Sequence, residues 1–155
     1  MKKSKKNLLS ILFILFSFIS NAQKSDTSGE VNFISEIDGT VTVRAIGYGS
    51  NMEKAKSEAE LKAIEIILFR GLPESSQKTG LLEKGIFESN FKNTEYFENF
   101  YDKKGYKNFI MSSIPTTKLI KNKGGKKSLG VDIKINSSAL RTDLEQNKII
   151  RKFGF

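Results

Sequence analysis

The side chains that most often carry chemistry are missing from this chain. Its 155 residues include no histidine and no cysteine. Thiol nucleophiles, imidazole bases, Ser-His triads, typical zinc sites and His- or Cys-ligated haem are therefore excluded. Carboxylates remain for acid–base work. Asp132, Glu95 and Glu98 are candidates, but no spacing pairs them. Hydrolysis by two carboxylates is the least favoured reading, and no catalytic residue, metal ligand or cofactor is expected. Gly47-Tyr48-Gly49 suggests a dinucleotide turn, but the third glycine of that fingerprint would fall on Met52. Lys78-Thr79 fails as a phosphate loop, because Ser76 holds a glycine position and the segment follows a helix rather than a strand.

Two clusters could bind rather than react. Between Asp102 and Asp132 there is no acidic residue but there are eight lysines. Lys118, Lys121, Lys123, Lys126 and Lys127 surround a turn at Asn122-Lys123-Gly124-Gly125. Lysines blunt a free sheet edge, and they also attract polyanions such as lipopolysaccharide or acidic glycan. The patch has no arginine, so bidentate phosphate forks are not available to it. Nucleic acid is the weakest of these partners for an exported chain. The second cluster is aromatic: Tyr96, Phe97, Phe100 and Tyr101 on a short helix expected over Glu95 to Lys104. The plain expectation is a face packed into the core. The sharper one is a surface for a protein partner or for stacking sugars.

The first residues bear on location. Lys2, Lys3, Lys5 and Lys6 precede a twelve-residue apolar core, Leu8 to Ile19, broken by two serines. Ser20 and Ala22 are small residues at the −3 and −1 positions of a cleavage site. Residues 1–22 are thus expected to be a secretory signal. The alternative is an uncleaved anchor, for which the uncharged run Asn7 to Gln23 is short against the roughly 20 residues of a span. The residue usage and the Asn-Ala-Gln ending resemble secretory signals of Bacteroidota-type bacteria. Without a cysteine, a lipid anchor at the new N-terminus is not expected. Removal of the signal lowers the formal charge from +9 to +5. Cleavage leaves residues 23–155, enough for one domain with a core of its own. A flexible leader is expected over 23–38, with at most one edge strand near Val31 to Ile34, and a single domain over 39–155.

The domain is organised around Gly39 to Gly71. Val41, Val43 and Ala45 alternate with Thr40, Thr42 and Arg44, the period of a half-buried strand. Gly47 and Gly49 allow a sharp turn. Ser50 to Glu53 fits a capping box, with Ser50 as the cap. A helix should run to about Phe69 and stop at Gly71-Leu72-Pro73. Its inward stripe is Met52, Ala55, Ala59, Ala63 and Ile66, with Glu58 and Lys62 paired on the wet face. After an irregular stretch come the aromatic helix and a long or broken strand over Tyr106 to Lys121, with Pro115 marking an edge or bulge. The hairpin returns as a strand in which Leu129, Val131, Ile133 and Ile135 point inward. Asn136-Ser137-Ser138 caps a last helix over Ala139 to about Asn147, carrying an Arg141–Glu145 pair. Lys148 to Phe153 could be a last helical turn or a closing strand. The fold class is α+β: an antiparallel sheet of three to four strands with a long helix and one or two shorter helices on one face, a two-layer sandwich.

The strand–Gly-x-Gly–Ala-rich helix over Val41 to Phe69, with the strand and helix over Leu129 to Leu144, resembles small exported modules of the LPP20 lipoprotein and flagellar-assembly-protein-T N-terminal class. The resemblance implies an α+β envelope module without catalysis, and it carries over no site residue. The expected function is a non-enzymatic structural or assembly protein of the envelope, periplasmic or secreted, with an envelope protein, acidic glycan or lipid as partner. No transmembrane span is expected once the signal is cleaved.

Overall fold

The computed structural model describes residues 30–82, 95–122 and 125–152. The expected signal at 1–22, Phe91, the capping candidates Asn93 and Thr94, and Lys123 lie outside the described residues.

The fold is α+β. A five-stranded antiparallel sheet is formed by β1 (Val31–Ile37), β2 (Thr40–Tyr48), β3 (Ile110–Pro115), β4 (Ile120–Lys121) and β5 (Lys127–Asn136). The order is β1-β2-β5-β3, with β4 also paired to β5. The expected three to four strands become five for two reasons. The 23–38 leader contains β1 as a full edge strand, so the sheet begins before residue 39. The strand before the hairpin is broken into β3 and β4, both paired to β5, and the break follows Pro115. That strand does not begin at Tyr106. A 3₁₀ turn, Gly105–Phe109, precedes it and buries Tyr106.

Asp38-Gly39 makes the tight β1–β2 hairpin. Ile37 pairs with Thr40, and both turn residues have positive φ (48° and 69°). A primed type I turn requires this, and Asp-Gly favours it. The turn is fastened to the last helix, α3 (Ser137–Gln146), because Ser137 Oγ and the Ser138 N–H both donate to the Gly39 carbonyl. The cap of α3 is Asn136, which accepts from the Ala139 N–H at 2.9 Å.

Helix α1 (Met52–Phe69) lies against β2 and β5. Its cap is Asn51 rather than Ser50: the Asn51 side chain accepts from the Lys54 N–H at 2.9 Å, and the Ser50 carbonyl instead accepts from Lys127 Nζ. Ala55, Ala59 and Ala63 are fully buried, as the stripe required, but Met52 is 50% exposed at the first helical position. Small side chains are needed here because the glycine turn brings backbone against backbone. A Cβ on Gly47 would lie 1.9 Å from the Ala55 carbonyl oxygen, and one on Gly49 would lie 2.3 Å from the Ala55 nitrogen. At the far end, Gly71 (φ 78°) donates its N–H to the Ile66 carbonyl and closes the helix. The core joins Val41, Val43, Val131, Ile133 and Ile135 to Ile64, Ile67 and Leu68 of α1 and to Leu140 and Leu144 of α3. After α3 the chain turns and bends at 147–150, so neither a further helical turn nor a closing strand forms there.

Candidate functional site

The aromatic segment is short and unusual in its winding. One α-turn, α2 (Glu95–Phe97), passes directly into a π-turn, Glu98–Asp102. Phe100 is the hub, with ring centroids of Tyr96, Phe97, Tyr101, Tyr106 and Phe109 all within 6.5 Å. Phe97 and Phe100 are buried in the core, and Tyr96 and Tyr101 are half-buried. The four residues considered as a partner surface therefore do not form an open face; two of them are core. The reason is spacing: the rings fold back on one another and on Tyr106, whose hydroxyl reaches Ser57 of α1.

What remains open is the rim of this cluster. A cleft of about 390 Å³ separates the π-turn from the end of α3. Tyr96, Phe100 and Phe109 give it aromatic walls, and Glu95, Asn99, Asn108, Asp143 and Asn147 give it polar ones. The Tyr96 hydroxyl donates to Asp143 Oδ2 at 2.6 Å and ties the two elements together. Burial, and then the Asp143 carboxylate, push the Tyr96 phenol far above its ordinary range, so it stays a donor. Asn147 Nδ2 donates to the Asp143 carbonyl at 2.8 Å, which leaves its oxygen as an acceptor. Of these polar residues, sequence reading singled out only Glu95. Asp143 and Asn108 lie 48 and 13 residues away from it, and no periodic pattern links them.

The other candidate carboxylates go elsewhere. Asp132 faces away from α1 and is held by Arg44 across the β2–β5 pair through two hydrogen bonds, 2.7 and 2.9 Å. The Arg44 guanidinium keeps its carboxyl below the ordinary range despite partial burial. Glu98 is exposed. Among the described residues no group of acidic side chains could hold a metal ion.

The lysine hairpin forms as expected around Gly125 (φ 79°), closed by the Asn122 N–H on the Lys126 carbonyl at 2.8 Å. Lys118, Lys121, Lys126 and Lys127 are all exposed. Lys127 is turned toward Ser50, and Lys107, counted with the patch by sequence, is instead paired with the buried Glu60 at 3.1 Å. A second basic hollow, missed by sequence reading, lies by the end of α3, where Lys148, Arg151 and Lys152 join Arg141 and Glu145.

Lys62 also departs from expectation. Its side chain is only 12% exposed and bridges Glu30 (2.5 Å) and Glu58 (3.2 Å). It donates to the Ile46 carbonyl and lies 4.5 Å from the centre of the Tyr48 ring. The Tyr48 N–H donates in turn to Glu58. Burial pushes the Glu30 carboxyl up, and the hydrogen bonds from Lys62 and Tyr48 outweigh it, so Glu30 titrates below its usual range. This network pins the strand to α1, since each cation and anion has a partner within it.

On the face of the sheet away from α1, Thr42, Arg44, Asp132 and Lys134 lie at the centre and large apolar side chains at the border. Ile37, Met111, Ile114 and Ile120 are 55–70% exposed. Register puts Ile37 beside Thr40, Ile114 beside Asp132 and Ile120 beside Ser128. Met111 sits at a bulge in β3 and reaches the Thr40 hydroxyl. Three of the four therefore follow the β3–β4 edge. Among the described residues no helix is long and apolar enough to cross a membrane. Comparisons with protein-family models, curated proteins and solved structures found no match.

Proposed function

We propose that the chain is an exported, non-enzymatic module of the cell envelope, periplasmic or secreted, with a structural or assembly role. Its partner is another envelope protein. The domain is read as a two-layer unit whose helices cover one face of the sheet and whose other face meets the partner. The observation that carries this reading is the apolar border of Met111, Ile114 and Ile120 along one sheet edge, with Ile37 at the opposite corner. Single exposed apolar residues are ordinary, whereas several along one edge mark an interaction site. The basic n-region and apolar core before Ala22 support export, and the resemblance to LPP20-type and flagellar-assembly-protein-T modules supports the class.

A photo-crosslinking residue placed at Ile114 and, separately, at Lys54 on the exposed start of α1 tests the reading in the native host. One defined envelope protein should crosslink from position 114 and not from 54. Equal capture from both, or none from 114, overturns the docking face. Recovery of full-length chain from the cytoplasm overturns export.

A second reading rests on the hairpin. Lys118, Lys121 and Lys126 are exposed, and among the described residues no ion pair engages them. They suit lipopolysaccharide or another polyanion, held by charge alone. Binding should weaken steeply between low and physiological salt and vanish on changing all three to Gln. Salt-insensitive binding sinks this reading.

A further inference from the structure

The cleft between the π-turn and α3 has a composition unlike the rest of the surface of this basic chain. Among the described residues no lysine or arginine lines it. Its walls pair aromatic carbon with side-chain amides, and its volume of about 390 Å³ is at the small end of ligand sites. Among the described residues no hydrogen bond occupies the amides of Asn99 and Asn108. Each therefore offers one acceptor and two donors in a plane. Asp143 is already engaged by Tyr96, and Glu95 lies exposed at the mouth.

These features select a class of ligand. Anions are disfavoured, because among the described residues the charges at the cleft are carboxylates. A cation would find only Glu95, at the exposed mouth, and the one Asp143 oxygen that does not accept from the tyrosine. Planar amides suit neighbouring hydroxyls, which both donate and accept. Aromatic walls suit the C–H face of a sugar ring, which has apolar area but no charge. We infer that this cleft is a subsite for a neutral sugar, one to two rings in size. Asn99 and Asn108 would hold its hydroxyls, and Tyr96 and Phe109 would lie against its ring. The Tyr96–Asp143 hydrogen bond fixes the width of the cleft, so Tyr96 is a positioning residue as well as a wall. This inference is independent of the sheet face proposed to meet a protein.

Saturation-transfer NMR on the full chain tests it. The probes are maltotriose and the trimer of N-acetylglucosamine (neutral), trigalacturonate (anionic) and spermidine (cationic). Each is supplied at about 10 mM, ample for the millimolar affinity of one small pocket. Transfer is expected to at least one neutral trimer and not to trigalacturonate. Asn108→Ala, at an exposed position, should weaken that binding roughly five- to tenfold, the effect of losing a hydrogen bond or two. Asn32→Ala, on β1, should leave it unchanged. Asn99→Ala serves as the second variant, with near-UV circular dichroism reporting its fold. No transfer to either neutral trimer overturns the inference. So does binding that survives both Asn variants, or saturable binding of spermidine alone.

Discussion

Replacing Gly47 with alanine adds one methyl group at the place where strand and helix come closest. The new Cβ would lie 1.9 Å from the Ala55 carbonyl oxygen, 2.6 Å from the Ala59 nitrogen and 2.9 Å from the Ala59 Cβ. Ordinary contact begins near 3.4 Å, so α1 must withdraw by about 1.5 Å at this point. The obstacle is backbone, which no rotamer change relieves. Overpacking of this kind typically destabilises by about 1–3 kcal/mol. Withdrawal also loosens the seam made by Ala55, Ala59 and Ala63, all fully buried, and a gap of 0.5–1 Å already forfeits about a quarter to a half of each contact there. Together these give a loss of about 3–4 kcal/mol, a large part of the roughly 5–15 kcal/mol that holds a domain together. Urea unfolding followed by circular dichroism measures it. Gly125→Ala is the control: its φ is 79°, but nothing lies within 4 Å of the added atom. It should lose only the roughly 1–2 kcal/mol of a left-handed alanine. Ala59→Gly added to Gly47→Ala should not restore stability, since the nearest atoms remain backbone. The steric argument is refuted if Gly47→Ala destabilises no more than Gly125→Ala, or if the double variant recovers fully.

Other outcomes follow from the charges and caps. Asp132 is held below its ordinary value of 3.8 in the fold, so its pairing with Arg44 stabilises above that pH and is lost as pH falls through the lower folded value. Asp132→Asn should accordingly lower stability slightly at pH 7, flatten the acid limb of the pH–stability curve below about pH 4, and change nothing once pH falls below the folded value. Glu65 has the opposite sign: burial raises its pKa above 4.5, with Lys62 offsetting and Glu58 adding to the effect. Its ionisation works against the fold as pH rises past 4.5, so Glu65→Gln should raise the melting temperature at pH 7 and not at pH 4. Asn136→Ala removes the cap of α3 and should cost about 1 kcal/mol in urea unfolding.

Local pattern carried much of the fold. The alternation of Val41, Val43 and Ala45 and of Leu129 to Ile135 identified the two central strands, because both have one face fully buried. Glycines 71 and 125 marked a helix stop and a turn, since both positions take positive φ. The Asp38-Gly39 hairpin has an equally legible turn pair, but the polar residues around it mask the edge strand that leads into it. Ser50 and Asn51 are both good caps by residue type, and the fold uses Asn51, whose side chain accepts from the Lys54 N–H. Lys62 looked solvent-facing because its partner Glu30 lies 32 residues away. The π-turn follows from the packing of five rings around Phe100, and no sequence period announces it. The cleft was hidden for a similar reason. Its amides belong to three segments joined only by the fold, and of the four aromatic residues in the short helix Phe97 and Phe100 face the core.

The central position of β5 has a consequence for timing. Its pairing with β2 joins residues as far apart as Thr40 and Asn136, 96 positions along the chain, and every strand except β1 depends on it directly. Until residues 127–136 are available, β1, β2 and α1 have a hairpin and a helix but no third strand to close over Ala59 and Ala63. Loop closure of that span precedes most of the gain, so folding should be slow for a domain of this size. A chain still being synthesised would stay open until late. Under the proposed export, that delay would keep the chain open while it is threaded through a narrow channel.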